Sequence, residues 1–422
     1  MNLSPMAQAT LLLTSYFSQA SSDDVKPLSN AEWGRFALWL KGKSVTPADL
    51  LATDVPSLLQ TWQDPHISMA RIVALLNRGH SLALATEKWQ RAGLWLVTRA
   101  DPEYPWRLKQ RLKTDSPPLL FGCGNKNLLN MSGLAVVGSR NASDVDLQFT
   151  SLVGAKAASE KVAIVSGGAR GVDETAMLGA IQEKGSVIGI MADSLLKAAT
   201  SAKWRNGLMN GNLVLISPFY PEAGFSVGNA MARNKYIYCL AESALVIHSG
   251  TKGGTLNGAE ENLKNGWVPL WVKPTDDRHS ANAHLVAKGG RWSAADIQHL
   301  NVLALTGVGG SVPAQSDLFT PDTQPGVYNS ADMAAPSHFV SVQEEEPEYA
   351  TQNATSGPVD FYQIFIRELA RYAKNPVTLE ELMALTQLNK HQLNEWLKRA
   401  TEDEVVKILT RPVRYQKRDH QD

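Results

Sequence analysis

The chain has 422 residues, 44% of them hydrophobic, and its 41 Lys and Arg balance 41 Asp and Glu to a formal net charge of zero. This composition excludes disorder throughout, and the length accommodates two to four domains of about 100 to 200 residues each. Neutrality excludes a chain held to nucleic acid or membrane by bulk charge and leaves only a local basic groove.

Cys123 and Cys239 lie far apart, with no CxxC or Cys/His clustering. Neither a disulfide framework nor a metal site is expected, and a reducing cytoplasm fits. Leu11-Leu12-Leu13 is short and has no basic segment before it, so it reads as a helix face and not as a signal peptide. No apolar run approaches the roughly 20 residues of a membrane helix, so no membrane contact is expected.

Residues 1–125 read as a small helical domain in which Trp33, Phe36, Leu38 and Leu40, then Ile72, Leu75 and Leu76, recur at spacings that suit buried helical faces. Its end, from Tyr104-Pro105 to Pro117-Pro118-Leu119-Leu120-Phe121, reads as a proline-punctuated packing lead-in. Residues 126–305 change pattern. Short apolar runs at Leu134 to Val137, Val162 to Val165, Val187 to Ile190, Leu213 to Ile216, Ala244 to Ile247 and Trp267 to Val272 are separated by segments long enough for crossover helices. Nearly continuous apolar strands alternating with helices indicate an α/β, Rossmann-like, doubly wound and mostly parallel sheet. Ligands of such a sheet sit beyond the carboxyl ends of its strands.

Residues 306–357 read as an acidic, disordered linker: 311 to 360 hold eight acidic residues and no Lys or Arg. Because the whole chain is neutral, the remainder carries a formal +8. Residues 358–422 read as a winged-helix-like module. Phe361, Ile364, Phe365 and Leu369 mark one helix, and Thr378 with Glu381 forms a capping box for the next. A third helix carries Leu393, Trp396 and Leu397, and a hairpin turns around Arg411-Pro412. Lys390, Lys398, Arg399, Lys407, Arg411, Arg414, Lys417 and Arg418 make this module a candidate for duplex DNA or protein contact.

The strand-end loops carry the chemistry. The first strand ends in Gly138-Ser139-Arg140, and the second in Ser166-Gly167-Gly168-Ala169-Arg170-Gly171, with Asp173 placed to cap or orient the loop. Both put amides, hydroxyls and guanidinium groups where a helix N-terminus stabilises phosphate. Arg233-Asn234-Lys235 lies on the helix before the fifth strand, and Gly250-Thr251-Lys252-Gly253-Gly254-Thr255 follows that strand. Neither GxGxxG nor GxxxxGK[ST] is present, so neither NAD nor ATP hydrolysis is indicated and no cofactor is expected. No nucleophile and base constellation appears, and His248 reads as a satisfied buried histidine.

In order and content, Tyr104-Pro105, Pro117-Pro118-Leu119-Leu120-Phe121, Val136-Val137-Gly138-Ser139-Arg140, Val165 to Asp173, Ala232-Arg233-Asn234-Lys235 and Ser249-Gly250 resemble the DprA/Smf family of DNA-processing proteins. The resemblance covers about residues 104 to 300, and the helical N-terminal (SAM/HhH-like) and winged-helix modules fit in outline. It implies a non-enzymatic homodimer that binds single-stranded DNA and loads a RecA-type recombinase during DNA uptake. By this match Arg140, Arg170, Arg233 and Lys235 supply cations, while Gly138, Ser139, Ser166, Gly167 and Gly168 supply amides and hydroxyls.

The chain departs from the family pattern at Met177, where a His is common, at Lys235, where a second Arg is common, and in its enlarged Thr251 to Thr255 loop. That loop resembles the GGxGT loop of LOG-type nucleotide phosphoribohydrolases, in which Glu260 or Glu261 would supply the carboxylate. A nucleotide- or sugar-phosphate sensor or hydrolase is therefore a second reading, and a regulatory or defence (antitoxin-like) protein is a third. The acidic linker is expected to compete with DNA for the basic pocket or the basic C-terminal tail. Deleting residues 311–357 should tighten single-stranded DNA binding several-fold at low salt, as read by fluorescence anisotropy; unchanged affinity rejects this competition.

Overall fold

The computed structural model describes residues 3–18, 25–52, 54–307, 361–373, 375–386, 390–403, 405–409 and 414–417. The chain divides into two compact units, Met1–Val327 and Tyr328–Asp422.

All six apolar runs of the first unit form strands: Gly133–Val137 (β3), Ala163–Ser166 (β4), Val187–Ile190 (β5), Leu213–Ser217 (β6), Ser243–Val246 (β7) and Leu270–Val272 (β8). Two further strands, Trp95–Thr98 (β1) and Leu119–Gly124 (β2), lie in the stretch read from the sequence as helical and proline-punctuated. A two-residue strand, Arg291–Trp292 (β9), completes one sheet of order β1-β2-β6-β5-β4-β3-β7-β8-β9. From β6 to β9 every pairing is parallel, whereas β1 and β2 add an antiparallel edge, with Phe121 opposite Ser217. The proline-rich stretch is thus part of the sheet. Its prolines, Pro105, Pro117 and Pro118, all precede the strand Leu119–Gly124 and so interrupt no ladder bond.

Strand alternation sorts side chains to two apolar layers. Leu134, Val136, Ile164, Val187 and Leu245 face the helices Asp144–Ser159 and Val172–Gln182. Ala135, Val137, Val165, Ile188 and Val246 face the helices Val227–Leu240 and Gly254–Asn265. With both faces covered, the strands are uniformly buried, which is why the sequence shows continuous apolar runs instead of alternation.

The N-terminal helices gather a separate core around Leu13, Trp33, Phe36, Leu40, Ile72 and Leu75. Leu38, expected on the buried face, is 48% exposed. On the helix Asn30–Gly42 it lies two residues from Phe36, about 200° around the axis, and so points away from that core. Among the described residues no helix is long and apolar enough to cross a membrane.

In the second unit the helices Phe361–Tyr372, Leu379–Thr386 and Lys390–Glu402 enclose Phe365, Leu369, Leu382, Leu393 and Leu397. The strands Val406–Leu409 (β10) and Arg414–Lys417 (β11) pair antiparallel after them. The Thr378 amide donates to Glu381 at 2.8 Å and the Glu381 amide to Thr378 at 3.3 Å, the reciprocal cap read from the sequence. The linker beyond Gly307, the Arg411-Pro412 turn and Arg418 lie outside the described residues.

The helices Asp144–Ser159 and Val172–Gln182 approach closely where small residues face each other. A Cβ on Gly179 would lie 2.4 Å from the Ser151 carbonyl oxygen, a backbone atom that has no side-chain freedom with which to yield. Gly179→Val should therefore lower stability by about 3 kcal/mol through overpacking, measured as a shifted urea midpoint with unchanged slope.

Candidate functional site

Chain order fixes where the loops meet. After β3 the sheet grows outward through β4, β5 and β6, and the chain then returns to place β7 on the other side of β3. Loops after β3 and β7 must diverge at this reversal, leaving the crevice where open α/β sheets bind ligands. A cavity of about 360 Å³ lies there, lined by Gly138, Ser139 and Arg140 from one loop and Gly250, Lys252, Gly254 and Thr255 from the other. A second cavity of about 470 Å³ adjoins it, lined by Gly167, Gly168, Arg170 and Lys203. The two share Arg140, Ala169, Phe225, Ala230 and Arg233 and so form one groove along the carboxyl edge of the sheet.

Beneath the groove lies an ion pair. Arg233 is 4% exposed and Asp173 7%, with Nη1 3.9 Å from the Asp173 carboxylate. The same Nη1 donates to the Ile190 carbonyl at 2.8 Å, while Arg233 Nε is buried with no partner. The backbone amides of Gly138, Gly167 and Ala169 lie on the side of the Asp173 carboxylate and favour its charged form. Burial pushes the Asp173 carboxyl upward and the Arg233 guanidinium downward, and each charge opposes the other's shift. Asp173 also sits in the first turn of Val172–Gln182, where the helix dipole favours an anion. One carboxylate therefore ties the loops after β3 and β4 together, as its position at a helix start suggested.

The glycines serve specific contacts. A Cβ on Gly167 would fall 1.4 Å from Arg233 Nη1, so the guanidinium occupies the space that a side chain would take. Gly171 has φ +92°, and its α-carbon substituent would meet the Ser139 carbonyl at 2.6 Å. Arg140 and Arg170 stay exposed at the rim, with Arg170 donating to Asn141 at 2.9 Å. Lys203 bonds Glu174 at 2.8 Å.

Several sequence-designated residues take other roles. Ser166 is fully buried and donates to the Val136 carbonyl at 2.6 Å, so its hydroxyl braces neighbouring strands and is not offered to a ligand. Asn234 donates to the Gly254 carbonyl at 3.0 Å and holds the loop after β7. Lys235 follows Arg233 by two residues, about 200° around the helix, and lies 5.2 Å from the Tyr236 ring outside both cavity linings. Thr251 and Gly253 are exposed and outside those linings as well. Glu260 is turned away: its carboxylate bonds Lys288 at 2.7 Å and His284 at 2.9 Å, which holds it below the usual carboxylate range.

Met177 is fully buried and packs beside Gly189 in the core. His248 is half-buried, pairs through Nε2 with Asp277 at 2.9 Å, and has its Nδ1 buried without a partner. It faces a separate cavity with Asp146 and Lys273.

Phe225, Met231, Lys203 and Asp193 line the groove without having been singled out from the sequence. The signal for Phe225 was an aromatic residue within the small and polar stretch Gly224 to Gly228. Nothing local marks Lys203 or Asp193, which reach the groove through chain topology. Among the described residues no group of three or more His, Cys, Asp or Glu could hold a metal. The arrangement offers exposed cations and backbone donors around a rigid floor, the equipment of an anion site.

Residues 95–302 match the family DNA recombination-mediator protein A. The chain is 30% identical over 168 residues to the DNA processing protein DprA of Streptococcus pneumoniae, covering 39% of this chain and 58% of that protein. It is 26% identical over 274 residues to the Bacillus subtilis DNA processing protein DprA, covering 57% and 89% respectively. Protein Smf of Escherichia coli is 31% identical over 155 residues, 36% of this chain and 41% of that protein. The matched segment thus spans under two thirds of the Streptococcus pneumoniae relative. Among solved structures, DprA of Streptococcus pneumoniae superposes with a TM-score of 0.47 at 23% identity, covering 66% of this chain and 98% of that one.

Removing the carboxylate beneath the groove would leave Arg233 buried and uncompensated. Asp173→Ala should cost about 3 to 5 kcal/mol, seen as a large fall in thermal midpoint, whereas Glu260→Ala, which removes only an exposed pairing, should change it little.

Proposed function

We propose that this chain, which belongs to the DNA recombination-mediator protein A (DprA/Smf) family, acts in DNA processing and recombination by holding single-stranded DNA through its phosphates in the groove at the strand-order reversal. The observation that carries the reading is the continuous groove in which Arg140, Arg170 and Lys252 stand exposed among glycine-rich loops above the Asp173–Arg233 pair. A strand with one charge per nucleotide matches a row of separated cations, and backbone donors read phosphate without reading sequence.

Binding by this route needs no chemical step, and we assign the protein no enzymatic activity. The hydrolase alternative names Glu260 or Glu261 as the carboxylate facing the sugar, and neither is in the groove lining, Glu260 being engaged by Lys288 and His284. Recombinase loading, homodimerisation and a cytoplasmic location complete the proposal through family resemblance. For the C-terminal unit, the exposed Arg399 and Arg414 support contact with duplex DNA or with a protein partner.

Fluorescence anisotropy with labelled oligothymidylate across a salt series tests the groove. The wild type should bind with a steep negative dependence of log affinity on log salt. Arg140→Ala should reduce that slope by about 0.7, the value of one single-strand phosphate contact, and weaken binding about tenfold, as loss of a charged hydrogen bond implies. A wild type indifferent to single strands refutes the proposal.

A further inference from the structure

Phe225 is 59% exposed, and three cavities meet at its ring. Two are the halves of the cationic groove. The third, about 590 Å³, runs from the loop after β6 toward the N-terminal segment and is lined by Tyr16, Phe219, Tyr220 and Phe225, with no charged residue among the described residues of its lining. Phe225 therefore stands on a boundary, with guanidinium and ammonium groups on one side and uncharged aromatic surface on the other. The Arg140 guanidinium lies 5.4 Å from its ring, at the junction.

The exposed ring sits on a braced loop. Tyr220 packs against Trp89 with ring centroids 6.2 Å apart, and Lys88 pairs with Glu222. The Pro221 carbonyl accepts from the Leu196 amide at 3.0 Å and from Ser194 Oγ at 3.1 Å. An apolar ring presented to water by a loop so tied is a preformed contact surface.

We infer, resting on the phosphate-groove reading above, that the bases of the bound strand stack on Phe225 and continue into the aromatic groove of Tyr16 and Phe219 while the phosphates stay on the Arg140 side. The chemistry of a single strand has this same two-sided character: an anionic backbone and flat, uncharged π faces. Stacking is tolerant of sequence because every base offers a face. The N-terminal segment, which supplies Tyr16, becomes part of the binding surface, so the site extends beyond the strand-end loops.

The test uses the full-length protein and two labelled probes of about 20 nucleotides, the length scale of one or two single-strand sites: oligothymidylate, and an abasic deoxyribose-phosphate oligomer of equal length. Wild type should bind oligothymidylate more tightly. Phe225→Ala should weaken oligothymidylate binding about tenfold, the usual effect of losing one stacked base, while leaving the salt slope and abasic binding unchanged. Phe225→Trp should restore affinity, and Tyr16→Ala and Phe219→Ala should each weaken only oligothymidylate.

Equal binding of oligothymidylate by Phe225→Ala and wild type overturns the inference. Equal loss of both probes overturns it too, since Phe225 would then act by holding Arg140. Unchanged binding by both Tyr16→Ala and Phe219→Ala overturns the aromatic extension. A wild type that binds both probes equally rejects stacking and leaves the phosphate groove standing, whereas one that binds neither rejects the groove itself.

Discussion

The contact between Asp173 and Arg233 governs the rest of the site. Each charge is buried and would be severely destabilising alone, so the pair persists only because each partner offsets the desolvation of the other. The amides of Gly138, Gly167 and Ala169 favour the charged carboxylate, and the loops after β3 and β4 meet where the Val172 amide donates to the Ser139 carbonyl at 3.4 Å. Because Arg233 belongs to the helix before β7, the same pair joins the two sides of the reversal in strand order. The groove above it is held open by a polar bond network, not by apolar packing alone.

That network comes at a structural cost. Arg233 Nε has no partner, and Gly167 must lack a side chain for the guanidinium to fit. Fully packed apolar residues would fill the same space more favourably. Their absence at the carboxyl edge sets this region apart from the well-packed layers on either side of the sheet. The charge of Arg233 is balanced from below by Asp173, so the positive character of the groove comes from the exposed Arg140, Arg170 and Lys252 at its rim.

The neutral net charge of the chain acquires a different meaning against this geometry. Eight acidic residues without a compensating base lie between 311 and 360, so the rest of the chain carries the positive excess. Part of that excess is gathered at one edge of one sheet. Charge separated along the sequence permits anion binding by a chain that is neutral as a whole, and the uncharged aromatic surface beside Phe225 extends the same segregation to a finer scale.

The sequence by itself determined the six principal strands, because strands buried on both faces need continuous apolar runs, and it determined the strand-end loops, because Gly, Ser and Arg clusters interrupt those runs. Asp173 was also legible as a loop organiser from its place at a helix start. The antiparallel edge formed by β1 and β2 was obscured by the prolines beside it, which signal a turn locally whatever the chain does next. Only the tertiary structure decided which cations face the groove. Arg233 and Lys235 are two residues apart in sequence, yet a helical rotation of about 200° separates a buried arginine from a lysine outside the lining. Likewise Ser166 spends its hydroxyl on a neighbouring strand, Glu260 is engaged by residues 24 and 28 positions away, and Phe225 gains its place from three cavities converging. Local patterns record secondary structure because its forces are local, whereas the facing of a side chain depends on which distant segments the fold brings beside it.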